Sequence, residues 1–254
     1  MNPLLFQMTK REVIGRYQGS VIGLAWSFLN PLMMLAIYTF VFGVIFSARW
    51  PHGGGHADFA INLFAGLVVF NIFSECLNRA PMLVLSNVSY VKKVVFPLYI
   101  LPITVLLSTL FHALVSLVIL LVFYIFVHGW PHWTIIFLPL IWVPFALLTL
   151  GCSWFLASLG VYLRDIGQVV GVATTALMFL SPIFFPASAL PEAVRQWAFL
   201  NPLTIPIGQT REVVIHGNLP DWSLLAIYAV VGVLIARLGY IWFDKTRKGF
   251  ADVI

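Results

Sequence analysis

Residues 10–32 read KREVIGRYQGSVIGLAWSFLNPL, a basic, half-apolar lead that runs into a hydrophobic stretch. At 100° per residue Val13, Ile14, Tyr17, Val21 and Leu24 share one stripe, with Arg11, Glu12, Arg16 and glycines 15, 19 and 23 on the other side. The pattern predicts an amphipathic helix with one smooth, close-packing flank, continuous with a first membrane span. Lys10 falls within the apolar stripe, where its stem can lie on lipid while the ammonium reaches the headgroups. Glu12 precedes Arg16 by four residues, the favourable order for an ion pair. A positively charged flank that only orients the first span accounts for the same residues.

Outward from that stretch, the chain is 61% hydrophobic and 9% charged, against about 45–50% and about 25% in soluble domains. So much apolar surface needs the bilayer as its solvent. The net charge of +5 is dispersed at the ends of apolar runs, so it does not read as a nucleic-acid surface. Cys76 and Cys152 lie inside apolar runs and read as buried thiols with no disulfide or metal role. The first apolar run is too long for a cleaved signal, and no small-residue cleavage pattern follows it.

Six runs meet the length a crossing helix needs: 21–46, 59–77, 102–127, 134–159, 167–185 and 222–243. Lys10, Arg11, Arg16, Arg79, Lys92, Lys93, Arg164, Lys245, Arg247 and Lys248 fall on one side of them. Arg49, Arg195 and Arg211 fall on the other. By the positive-inside rule both termini are cytoplasmic. The expectation is an all-α polytopic membrane protein. Its outer link 128–133, HGWPHW, is a short turn with interfacial tryptophans, and 186–221 is broken by prolines into short pieces lying in or dipping into the outer interface. The inner loop 78–99 has room for two or three helical turns. Pro139, Pro144 and Pro182 should bend their helices, and Gly167 with Gly171 forms a GxxxG pair open to close contact.

Catalytic patterns are missing: there is no G-x-S-x-G and no H-E-x-x-H. Residues 239–246, GYIWFDKT, imitate a phosphate loop, but Asp244 stands where its second glycine belongs. His52 and His56 in a glycine loop read as a solvated turn, not a metal site. Glu75 and Arg79 can pair at the inner end of the second run, and His112 reads as a satisfied helix-packing residue. No acid stands at mid-span, which disfavours an ion-coupled carrier and leaves the energy of any transport to a separate protein. Tyr38, Phe42 and Phe46 recur at fourfold spacing, and Phe179, Phe184 and Phe185 crowd the outer half of the fifth run. They suit either helix packing or a wall along which sugar rings slide.

Four blocks carry a resemblance: 16–32 (RYQGSVIGLAWSFLNPL), 91–102 (VKKVVFPLYILP), 162–166 (YLRDI) continuing to 181–186 (SPIFFP), and 201–217 with Asn201, Pro202, Leu203, Arg211 and Gly217. In this order the chain resembles the permease subunit of bacterial ABC transporters that export cell-surface polysaccharides. The resemblance implies one permease domain over 1–254: an interface helix at 1–20, five spans within 21–185, outer gate helices at 186–221, a sixth span at 222–243 and a cytoplasmic tail at 244–254. It implies a half-transporter of two copies with two copies of a cytoplasmic ATPase, which would hold the ATP and Mg while this chain has no cofactor. Lys10, Arg11, Arg16, Tyr90, Lys92 and Lys93 would dock and couple that ATPase. Tyr38, Phe42, Phe46, Phe179, Phe184 and Phe185 would line the channel, with Asn201, Pro202 and Arg211 in the outer gate. Arg11 and Arg16 would also suit the pyrophosphate of a lipid-linked glycan, although anionic headgroups explain the same charges. A permease for a drug or small lipid, an ion-coupled carrier and a membrane-embedded enzyme are the competing readings.

Overall fold

The computed structural model describes residues 3–45, 50, 55–92, 96–186 and 200–254. Among these residues the regular structure is entirely helical. Five stretches are long and apolar enough to cross a membrane: Gly23–Phe42, Ala57–Leu83, Ile100–His128, Trp133–Tyr162 and Trp222–Val253. Their α-helices are α2 (Trp26–Tyr38), α3 (His56–Leu83), α5 (Ile100–His128), α6 (Leu138–Tyr162) and α9 (Trp222–Thr246). Around them lie α1 (Pro3–Gly15), α4 (Val88–Lys92), α7 (Ile166–Leu180), α8 (Thr204–Arg211) and α10 (Phe250–Val253).

The bundle is built round α3, which packs against α2, α5, α6, α7 and α8. Pairings at the ends fix direction. His128 at the end of α5 meets Asp58 at the start of α3, and the Trp154 indole on α6 donates to the Tyr99 carbonyl just before α5 at 3.0 Å. Ser158 and Thr246 bond at 2.6 Å at the other ends of α6 and α9 from the Phe137–Trp222 ring contact. Residues of α1, α4 and α10 therefore gather at one end, and α8 lies at the other. Trp130 and Trp133 are largely exposed in the turn between α5 and α6, as interfacial anchors should be. Both cysteines are free.

Three expectations change. The lead is not continuous with the first span: α1 stops at Gly15, and turns carry the chain to a 3-10 segment at Gly23–Ala25. Gly19 and Gly23 have φ of 87° and 57°, left-handed values that an amphipathic helix cannot contain. The predicted smooth flank is instead a run of turns, and nothing lies within 4 Å of a Cβ built on Gly15, Gly19 or Gly23. The fifth run is a 15-residue helix, not a span to residue 185. Pro182 ends it where a bend was expected, because the residue before a proline is driven to extended backbone and Ser181 has ψ 153°. Pro139 likewise lies at the start of α6, where its missing N–H costs nothing.

Close helix contact comes from other glycines than the GxxxG pair, whose built Cβ atoms meet only ordinary contacts. A Cβ on Gly151 or Gly239 would strike the backbone of the facing helix, and one on Gly232 would lie 2.6 Å from the Pro144 carbonyl. These three residues let α6 and α9 approach backbone to backbone. The phosphate-loop mimic at 239–246 is the continuous end of α9, not a loop.

Candidate functional site

At the inner end, sequence-distant charges interlock. Glu12 on α1 pairs with Arg79 on α3, and Arg16 pairs with Glu75 at 2.7 Å. Arg79 also reaches Glu75 at 3.3 Å, as the four-residue spacing predicts. The expected Glu12–Arg16 pair is absent among the described residues, because the chain turns after Gly15 and each side chain finds a partner on α3 instead. The four groups carry two charges of each sign and bolt the lead to the most central helix of the bundle.

The lead also meets the inner loop. Arg11 Nη1 donates to the Tyr90 hydroxyl at 2.9 Å, and its guanidinium lies 5.9 Å from the Tyr90 ring centroid. Tyr90 stacks on Phe96 at 4.5 Å and an interplanar angle of 17°. The C-terminal α10 touches α4 and is pinned by Phe250, which is fully buried against Phe243 and Tyr162. Of the proposed docking residues, Arg11, Arg16 and Tyr90 thus build the platform itself. Lys10 and Lys92 are exposed on it. Lys93 lies outside the described residues. Arg16 has its charge paired with Glu75, whereas exposed Arg11 meets only the neutral Tyr90 side chain among the described residues.

The aromatic residues of the first and fifth runs come together. Phe42 stacks on Phe59 at 5.4 Å and touches Tyr38 at 6.4 Å and Phe184 at 6.2 Å. Phe184 stacks on Phe179 at 5.9 Å, and Phe179 is 60% exposed. Phe185 is half-buried, and Phe46 lies outside the described residues. The result is a band of ring faces joining α2 to the end of α7, with an open edge at Phe179.

At the outer end Arg211 is the centre. Its side chain is 5% exposed and donates to three carbonyls: Asn62 at 2.9 Å, Pro182 at 2.6 Å and Ile183 at 2.8 Å. The Trp50 ring lies 4.8 Å from the guanidinium. Burial pulls its pKa down to about 9, which leaves it charged at neutral pH. The charge is balanced by carbonyl oxygens at the C-terminal, partially negative end of α7 and by the ring face. Gly66 makes room for it, since a Cβ there would lie 2.8 Å from Nη2. Asn201 donates to the Ser181 hydroxyl at 2.9 Å and accepts from the Leu203 amide at 2.9 Å. The Pro202 carbonyl accepts from Tyr228 at 2.7 Å, and Thr134 holds the Val213 carbonyl at 2.7 Å. The described part of the expected gate, 200–221, dips into the bundle and is tied to α3, α7, α9 and the start of the fourth span.

His112 departs from its expected role. Neither ring nitrogen has a hydrogen-bond partner, although both are buried. Its ring makes an edge contact with Tyr17, the residue after Arg16. The sequence held one signal for this: a histidine near the middle of a long, largely apolar run.

A family model described as ABC-2 type transporter matches residues 3–215. The chain belongs to the ABC-2 type transporter family. It is 28% identical to the O-antigen export system permease protein RfbA of Myxococcus xanthus, over 99% of this chain and 95% of that one. It is 25% identical to the RfbA of Klebsiella pneumoniae over the same shares, and 25% identical to the polysialic acid transport protein KpsM of Escherichia coli over 94% and 91%. The family is one of transporter permeases.

Proposed function

We propose that this chain is the membrane subunit of an ATP-driven exporter of cell-surface polysaccharide, working as two copies with two copies of a cytoplasmic ATPase. The observation that carries the reading is the joined inner platform, where α1, α4 and α10 meet and the quartet Glu12, Arg16, Glu75 and Arg79 ties them to α3. Its likeness to O-antigen and polysialic acid permeases over nearly the whole chain supports the substrate class. In this reading 1–20 is the interface segment, 78–99 carries the coupling helix, 186–221 is the outer gate, and both termini are cytoplasmic. α7 makes the fifth of six crossings despite its length of about 22 Å, because the segment holding Arg211 dips inward to meet it. ATP and Mg belong to the partner.

The mechanism follows from rigid parts. Closure of the ATPases pushes α4 and, through Arg11–Tyr90, α1. The Gly19–Gly23 turns let α1 tilt without dragging α2 end-on, while the quartet passes the motion into α3. α3 holds both α7 and the Arg211 latch, so its displacement works on the outer end. The lipid-linked polymer moves between two copies past Tyr38, Phe42, Phe179 and Phe184, whose faces accept sugar rings without one strong contact. The test is export in cells deleted for this gene. Export of surface polysaccharide restored only when chain and ATPase are both present supports the reading, and export unaffected by the deletion refutes it.

A further inference from the structure

A cavity of about 390 Å³ lies between α2, α3 and α5 and shares Tyr38 with the path described above. Its size falls within the roughly 300–1,000 Å³ of small-ligand sites. From Phe59 to Leu77, α3 is buried or half-buried at every position but Asn71, and Asn71 opens into this cavity. Neither its amide nor that of Asn30 on α2 makes a hydrogen bond among the described residues. α5 contributes Ser116 and His112, near the middle of the helix, and both His112 ring nitrogens are buried without a partner. Pro31 in α2 has no N–H to give the Ser27 carbonyl, and Ser27 also lines the space. Polar groups at this depth are costly unless something satisfies them.

The chemistry of the wall narrows the ligand. Arg16 at the inner end is paired with Glu75, so an anion meets no unpaired cation there. A neutral imidazole gives one hydrogen bond and receives one, and each amide does both. Groups that answer both demands at once are hydroxyls. Tyr38 and Phe64 add flat apolar faces on which the C–H side of a ring can lie. We propose that this cavity is a binding site for a neutral sugar unit within each copy of the chain, a side pocket that meets the path between copies at Tyr38. The proposal rests on the polysaccharide-export reading and deepens it.

The test is saturation-transfer NMR on the full chain in phosphatidylethanolamine–phosphatidylglycerol nanodiscs, with glucose, galactose, mannose, rhamnose and N-acetylglucosamine as probes and glycerol as control. At least one sugar shows ring-proton saturation above glycerol. Asn71→Leu and Asn30→Leu, both at exposed positions, each weaken its binding about three- to tenfold. Val122→Ala, on α5 away from the cavity, leaves it unchanged. Asn71→Asp repeats the loss with a side chain of the same shape. No saturation beyond glycerol, or saturation indifferent to the asparagine variants, overturns the site and assigns the cavity to water. Export assayed in parallel separates the two claims: export that depends on this chain, with no sugar in the cavity, sinks only the cavity.

Discussion

Neutralising Glu12 and Arg79 in turn and together tests how the inner platform transmits force. The side chains are 29% and 36% exposed, which places the pair between a solvated ion pair worth about 0–1 kcal/mol and a buried one whose breakage costs about 3–5 kcal/mol. Glu12→Gln leaves the remaining three groups with one excess positive charge, and Arg79→Gln leaves one excess negative. In Arg79→Gln the loss is larger, because Glu75 also loses its 3.3 Å partner. The double variant is again neutral and keeps Arg16–Glu75 at 2.7 Å. A coupling energy of about 1–2 kcal/mol is expected, so the double variant is no less stable than Arg79→Gln alone. Heat-unfolding of the detergent-purified protein and ATP-driven export are the readouts. Export in each single variant falls about tenfold, in line with about 1.4 kcal/mol lost from the coupled state, while the ATPase still co-purifies. Losses that simply add, in stability and in export alike, would refute the interlock and return the four residues to a solvated face.

Replacing Arg211 by Met removes three hydrogen bonds to buried carbonyls and lowers stability by about 3 kcal/mol, and Arg211→Lys recovers less than half of it, both read by thermal unfolding. Gly239→Leu forces α6 and α9 apart, costs about 1–3 kcal/mol or more, and lowers the yield of folded protein measured by fluorescence-detected size exclusion. Phe42→Ala removes the ring joining Phe59 to Phe184, so polymer export slows while ATPase co-purification is unchanged. Lys92→Glu with Lys93→Glu weakens ATPase capture in a pull-down without altering membrane insertion.

The all-helical class and the placement of the long spans were legible in the sequence because apolar length alone reports them. The first and fifth runs misled for local reasons. The amphipathic stripe runs on through Tyr17, Val21 and Leu24, yet Gly19 and Gly23 take left-handed backbone that no periodicity reveals, and hydrophobicity continues past Pro182, which stops α7 two residues earlier. Charge spacing found Glu75–Arg79 but not the cross-pairs to Glu12 and Arg16, which exist only because α1 folds back beside α3. Arg211 was legible as an outer-segment residue, but its carbonyl partners are set by where α7 ends. The packing glycines 151, 232 and 239 gave no sign because they face one another across two helices, not along one. The cavity asparagines read as interruptions in apolar runs, and only the packing shows that they face a shared space.

Reconstitution of the purified chain in proteoliposomes, with and without its ATPase, tests the central claim most directly. A conduit worked from its inner surface gives no nucleotide hydrolysis and no glycan movement alone, even under a proton gradient, and ATP-dependent export once the partner is bound. Hydrolysis by the isolated chain, or uptake driven by the proton gradient, would contradict it.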